Sequence, residues 1–364
     1  MSMPTFFEPS SGRRQFVLQW HLTARCGERC KHCYMHDSPT FRSEREHELT
    51  PEHCLDVLDD FAGTVKAWGV DARINFSGGD PLLRPDLLEL VRSARRKGFM
   101  VGILGNPRLL TPERARELRE AGVSRYQLSI DGLERTHDSI RGRKGALRDA
   151  LRAIRMLNRE GLPSVVMFTL SRLNAHELIP VIRLCARAKV RIFDFARLVP
   201  TGTGKNLINE LLTAPEFREL LLRVLEEYRR LEVEGCDTYF GRKENLWTLL
   251  YHELGLLPPL PKDRETIFSG CSVGYRIMTI LADGTVLACR RLPVPIGKVP
   301  GKSLREIFIT SKNHRRLRAF ERMKRCAVCA LLPFCRGCMA VAQGAIGDFL
   351  EGDPQCWKVV DGAY

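Results

Sequence analysis

The chain has 364 residues, 44% hydrophobic and 27% charged, a length and balance that fit a soluble globular protein with a barrel-sized core and a smaller second domain. No run of about eighteen apolar residues occurs, which excludes a helical membrane span, and Arg13 and Arg14 precede no apolar signal core, so the chain reads as cytoplasmic. A net charge of +14 leaves acidic, phosphorylated or nucleic-acid partners open, whereas thirteen cysteines in a chain of this size without a secretion signal point to metal or redox chemistry rather than disulfides.

In chain order, residues 1–14 read as an N-terminal arm. Strand-like runs follow at Gln15–Leu22, Arg73–Phe76, Phe99–Leu104, Arg125–Ile130, Ser164–Thr169 and Arg191–Phe195, with amphipathic helical stretches between them. Thr50 before Pro51 and Thr111 before Pro112 each set an N-cap hydroxyl ahead of a proline at the first helical position. Six β/α units result over residues 15–214, and short connections between them require parallel strands with right-handed crossovers: a doubly wound sheet, or a complete or partial barrel. Residues 215–262 read as a helical bridge, with a Leu-, Glu- and Arg-rich helix at Ala214–Val233 and a proline-rich connector at Leu256–Pro261. Residues 263–364 hold seven of the cysteines, and Asp283-Gly284 between the runs Arg276–Leu281 and Thr285–Cys289 signals a hairpin.

Cys26, Cys30 and Cys33 form Cys-x3-Cys-x2-Cys directly after the first strand. Three thiolates in one loop suit a soft metal centre, and a four-iron cube held by three of them keeps one iron free for substrate chemistry. A zinc site would need a fourth ligand from His21, His32 or His36. The motif resembles that of the radical SAM superfamily, in which the free iron chelates S-adenosylmethionine (SAM). By that resemblance His32, before the last cysteine, lies near the adenine. Ser77-Gly78-Gly79-Asp80-Pro81 after the second strand is similar to the family's Gly-Gly-Glu-Pro, whose backbone binds the SAM amino group, with Asp80 in place of Glu. A glycine pair fits a ligand that must approach the main chain closely. Asn106 stands where the family often has Thr-Asn-Gly. Ser129-Ile-Asp131-Gly132 with His137, Asp138, Arg141 and Gly142 resembles its Ser-x-Asp-Gly and His-Asp-x-x-Arg-Gly, which implies Ser129 and Asp131 near the ribose and carboxylate, Arg141 on the carboxylate, and Asn174 on the ribose.

Each match is weak alone, since glycine pairs usually turn, asparagines cap and arginines face solvent; their shared order at strand C-termini carries the argument. Gly202-Thr-Gly-Lys205 is not a phosphate loop, because the glycine spacing and the hydroxyl after the lysine are wrong. The resemblance implies a partial (β/α)6 TIM-like barrel of the α/β class, one 4Fe-4S cluster, and reduction by a flavodoxin- or ferredoxin-type donor.

Cys271, Cys289, Cys326, Cys329, Cys335, Cys338 and Cys356 resemble the SPASM extension of peptide-modifying radical SAM enzymes, which binds two auxiliary 4Fe-4S clusters, although two residues separate Cys335 from Cys338 where three are usual. That resemblance implies one cluster on Cys326, Cys329, Cys335 and Cys356 and another on Cys271, Cys289 and Cys338. The fourth ligand of the second is left to Cys236, to a carboxylate such as Asp263 or Glu265, or to a substrate thiolate. Cys54 and Cys185 fall within helical patterns as ordinary buried thiols. The expected activity is reductive cleavage of SAM to a 5'-deoxyadenosyl radical and hydrogen abstraction from a peptide or protein, giving oxidation, a crosslink or a thioether. The alternatives are maturation of a small-molecule or tetrapyrrole cofactor, sulfatase-activating oxidation of a Cys or Ser, and, outside this class, a zinc-stapled nucleic-acid-binding protein suggested by the basic stretch Lys312–Arg325.

Overall fold

A computed structural model describes residues 15–261 and 266–358, so the arm 1–14 and the carboxylates Asp263 and Glu265 lie outside the described residues. Six parallel strands, β1 (Gln15–Thr23), β2 (Asp71–Gly78), β3 (Met100–Leu104), β4 (Val123–Ser129), β5 (Ser164–Leu170) and β6 (Ile192–Arg197), pair in chain order. Helices connect them, because parallel neighbours need a crossover rather than a tight turn. The result is the partial barrel of the α/β class that the resemblance implies, one of the options the alternation left open.

The helices begin where their caps say they should. Thr50 accepts a hydrogen bond from the His53 amide and Thr111 from the Arg114 amide. Helix Pro51–Trp68 then buries Cys54, Val57, Leu58, Phe61 and Val65, a stripe at three- and four-residue spacing against the sheet. The strands alternate in the opposite sense. Phe16, Leu18, Trp20 and Leu22 of β1 pack into the core, while Gln19 and His21 share the other face with their register partners Asn75 and Ser77 of β2. That inner face is polar and opens towards the strand C-termini.

The cysteine-rich segment joins the same sheet. Strand β8 (Ile277–Ile280) pairs parallel with β1, and β9 (Thr285–Cys289) and β10 (Leu292–Lys298) follow antiparallel through the Asp283-Gly284 turn. At the far edge the two-residue β7 (Tyr239–Phe240) pairs with β6. The ten-stranded order is therefore β10-β9-β8-β1-β2-β3-β4-β5-β6-β7. Docking on β1 carries Arg290 and Arg291, in the tight connection from β9 to β10, to the barrel mouth.

Two buried arginines tie the C-terminal segment down. Arg197, at the end of β6, pairs with Glu244 at 2.7 Å and Asp353 at 2.6 Å and donates to Gln355 Oε1 at 2.8 Å. Arg336 donates to the carbonyls of Leu332, Ser269 and Cys271 at 3.1, 2.8 and 2.7 Å, which joins the Cys326–Cys338 loop to the Cys271 loop. The basic stretch from Lys312 is partly structural as well: His314 is buried with Nδ1 2.8 Å from the Phe308 carbonyl, Arg316 lies over Phe349 and Arg318 over Phe308. Cys54 and Cys185 are buried in helices, as expected. Among the described residues no helix is long and apolar enough to cross a membrane.

Candidate active site

At the C-terminal ends of β1 to β6 lies a cavity of about 1260 Å³, counting its open mouth. Cys26, Cys30 and Cys33 all face it, together with His32, Gly78, Gly79, Asn106, Ser129 and Arg141. Asp80, Asp131 and Asn174, expected beside them, stand behind this lining, each buried. Asn174 is turned away from the cavity: its Oδ1 accepts from the Ser171 amide at 2.8 Å, and its Nδ2 donates to the carbonyls of Asp131 and Thr169 at 2.8 and 2.9 Å. Its amide is thus spent on holding the ends of β4 and β5 together.

The glycine pair lines the cavity and also packs against the cysteine loop. A Cβ on Gly78, at φ +120°, would lie 2.2 Å from the Thr23 carbonyl oxygen, and one on Gly79 would lie 2.1 Å from that of Arg25. The nearest atoms are those of the cysteine loop itself, which the end of β2 grips through Gly79 N–H to Thr23 O and Asp80 N–H to Arg25 O, both 2.8 Å. Asp80 accepts from the Leu82 amide at 3.2 Å as a helix cap; burial nonetheless pushes its carboxyl up to about 6, against the hydrogen bonds from Leu82 and Asn106.

Two side chains reach the thiols from other strands. Asn106 Nδ2 is 3.4 Å from Cys26 Sγ, and Arg141 Nη1 is 3.2 Å from Cys30 Sγ. Burial raises the Cys26 thiol and pushes Cys33 up to about 11, with each thiol opposed further by the charge of its neighbours. Deprotonation therefore needs a cationic centre among them. The Gly202-Thr203-Gly204 turn, which has no phosphate-loop role, supports the same loop from below. Thr203 Oγ1 donates to the carbonyls of Cys30 and Cys33 at 3.2 and 3.1 Å, and Gly202 packs against the Cys33 and His36 carbonyls. Nothing in the local sequence signals this contact across some 170 residues.

Behind the cavity, Asp131 Oδ2 lies 2.8 Å from Arg141 Nη2 and 3.2 Å from His32 Nε2, as ion pairs set off the hydrogen-bonding direction, while Oδ1 accepts from the Thr169 amide at 2.8 Å. Burial alone would raise the Asp131 carboxyl, but Arg141, then His32, outweigh it and hold the group well below the carboxylate range. His137 is pulled down to about 4 by burial and by Arg141, and its Nδ1 accepts the Asp131 amide, so it is neutral.

These residues fit an iron–sulfur cluster with a bound amino acid. The thiols of Cys26, Cys30 and Cys33 face one cavity, as a cluster held by three cysteines requires. Arg141 Nε is buried without a hydrogen-bond partner beside the thiols, at the place where a ligand carboxylate would satisfy it.

The remaining cysteines fall into two groups. Cys271, Cys289 and Cys338 line a second cavity together with Glu244, Asn245, Ser269 and Ser272. Cys326, Cys329, Cys335 and Cys356 sit apart from it; Cys326 is pushed up to about 12 by burial and then by Cys356 and Cys329, and burial, with Cys326 and Cys356 adding to it, raises Cys335. Cys236 follows helix Ala214–Val233, is packed against the hydrophobic core and is not in the lining of the second cavity.

Residues 20–185 match the radical SAM superfamily, and residues 271–339 match the iron–sulfur cluster-binding domain SPASM. An AdoMet-dependent heme synthase of Methanosarcina barkeri is 30% identical over 93% of this chain and 95% of its own. The Fe-coproporphyrin III synthase of the same organism is 30% identical over 98% of this chain and 91% of its own. Among solved structures, Streptococcus suis SuiB bound to S-adenosylmethionine superimposes with a TM-score of 0.70 at 18% identity, covering 95% of this chain and 76% of SuiB.

Proposed function

The chain belongs to the radical SAM superfamily and carries a SPASM iron–sulfur domain, and from that premise we propose that it acts on a carboxylate-bearing tetrapyrrole. Its cofactors are SAM, a 4Fe-4S cluster in the barrel and auxiliary iron–sulfur clusters in the C-terminal domain. The observation that carries the substrate reading is similarity along nearly the whole chain to a heme synthase and an Fe-coproporphyrin III synthase. The likeness to SuiB is one of fold alone at 18% identity, so the peptide substrate expected from the cysteine array gives way to its tetrapyrrole alternative. Family membership likewise replaces the zinc-stapled nucleic-acid reading.

When bound, the reduced cluster and SAM supply a 5'-deoxyadenosyl radical that removes a hydrogen atom from an unactivated C–H bond. In this reading Cys26, Cys30 and Cys33 hold the cluster, with Asn106 and Arg141 oriented on two of the thiols. Arg141, with its free Nε, and Ser129 bind the polar end and ribose of SAM, while His32 lies against the adenine. Asp131 fixes Arg141 and His32, and Asn174 and Asp80 fix the strand ends; these three are positioning residues. Cys326, Cys329, Cys335 and Cys356 hold one auxiliary cluster and Cys271, Cys289 and Cys338 contribute to the other.

The test is anaerobic reconstitution followed by chromatographic assay of 5'-deoxyadenosine with dithionite and SAM. Fe-coproporphyrin III should accelerate nucleoside formation, and Cys30→Ala should abolish it. Acceleration by a cysteine-containing peptide, with none from the tetrapyrrole, would overturn the substrate assignment.

A further inference from the structure

The cavity at the first cysteines and the cavity at Cys271, Cys289 and Cys338 share three lining residues, Lys243, Arg290 and Arg291, and all three are cations. They form the partition between the two cysteine sites. Arg197, Arg84 and Arg141 are buried against carboxylates, Glu244 and Asp353, Asp86, and Asp131 respectively, while buried Arg336 is served by three backbone carbonyls. Among the described residues no carboxylate is ion-paired with the partition, although Glu44 lines the first cavity and Glu244 the second. Arg290 rests over the Tyr34 ring at 5.8 Å, and Arg291 donates to the Arg197 carbonyl at 3.3 Å. Lys243 reaches into the cavities, and only its backbone amide is engaged, by Asp194 Oδ1 at 3.1 Å.

Grouping three basic side chains in a cavity with no carboxylate in direct contact costs free energy, and an arrangement of this kind suits a ligand that brings an anion. The electrostatics agree with the geometry: burial, then Arg290 and Arg291, draw the Lys243 ammonium down to about 7, with Asp194 opposing them. Two guanidinium forks and an ammonium suit carboxylates, which accept paired N–H bonds in a plane.

We propose that Lys243, Arg290 and Arg291 form the carboxylate-binding wall of the substrate site and hold an acidic side chain of the tetrapyrrole between the barrel cysteines and the Cys271, Cys289 and Cys338 site. The proposal rests on the tetrapyrrole reading and adds which residues recognise the substrate and where it sits. The wall assembles from the segment after β7 and the connection from β9 to β10, so it exists only because β8 docks on β1.

Equilibrium binding tests this without turnover. Fe-coproporphyrin III and its tetramethyl ester are titrated, by Soret absorbance, into the anaerobically reconstituted full chain and into Arg290→Gln and Lys243→Met. Lys243, unlike Arg290, is not adjacent in sequence to a cysteine assigned to a cluster, so K243M reports on the wall even if R290Q loses iron. We expect each neutral variant to bind the free acid ~10- to 100-fold more weakly, the loss typical of a charged hydrogen-bond partner. The ester should bind wild type as weakly as the acid binds the variants, and the substitutions should weaken it no further. Arg290→Lys, which keeps the charge but not the fork, should fall in between. If wild type prefers acid to ester but K243M and R290Q bind the acid as wild type does, the wall is refuted while the tetrapyrrole reading stands. If wild type binds neither porphyrin, the tetrapyrrole reading itself fails, and the wall with it.

Discussion

Arg197→Met removes the charge that joins the end of β6 to the C-terminal segment while keeping a hydrocarbon against Phe217, over whose ring the guanidinium lies at 5.0 Å. Arg197 is 1% exposed, and the Asp353 and Glu244 side chains it serves are 1% and 5% exposed, so the substitution strands two buried carboxylates. Breaking a buried pair by removing one partner costs about 3–5 kcal/mol. At roughly 2 °C per kcal/mol for a chain of this size, the melting temperature at pH 7 should fall by about 6–10 °C.

The sign of the pH dependence is an independent check. Burial would raise the Asp353 carboxyl, but Arg197 overrides it and holds the group below its ordinary value. In the wild type this contribution is therefore present above the unfolded carboxylate range and lost as pH falls through it. Without Arg197, burial prevails, the folded-state pKa rises, and acidification relieves the stranded charge. The stability gap between R197M and wild type should accordingly narrow from pH 7 to pH 5, and Asp353→Asn added to R197M should recover part of the loss. Thermal unfolding of the reconstituted protein at both pH values measures this. An R197M that melts with wild type at pH 7, or a gap that widens on acidification, would refute the argument.

Thr203→Val deletes the hydroxyl held by the Cys30 and Cys33 carbonyls; at about 1 kcal/mol for such a bond, iron should leave the barrel cluster several-fold faster under a chelator, with the fold retained by circular dichroism. Gly79→Ala sets a methyl against the Arg25 carbonyl, which must displace the cysteine loop, so reconstituted iron content should drop along with SAM binding. Asp131→Asn keeps an oxygen for the Thr169 amide but leaves Arg141 and His32 without their anion; SAM affinity measured by equilibrium dialysis should fall at least tenfold, with the iron content unchanged.

Much of this site was legible along the chain because in parallel β/α units each strand end opens the same way, so residues placed just after strands meet at one mouth. Cys26, Cys30, Cys33, Gly78, Asn106, Ser129 and Arg141, picked out by the motif resemblance, line that mouth together. The inward turn of Asn174 was not legible, since an asparagine after a strand reads the same whether its amide faces a ligand or its own backbone. Thr203 was missed because a Gly-Thr-Gly turn carries no record of the carbonyls it meets.

The amino-acid sequence by itself carried the cofactor chemistry through the resemblance of its cysteine motifs to the radical SAM and SPASM patterns, because thiol spacing within a loop is a local property that the rest of the fold does not alter. Only the tertiary structure decided which charged side chains share the cavity walls. Arg197 finds Asp353 across 156 positions, and Lys243 joins Arg290 and Arg291, through the docking of β8 on the open edge of β1. Charges brought together by strand pairing leave no periodic mark in the chain, and so the partner that neutralises them, or its absence, is visible only when the sheet has formed.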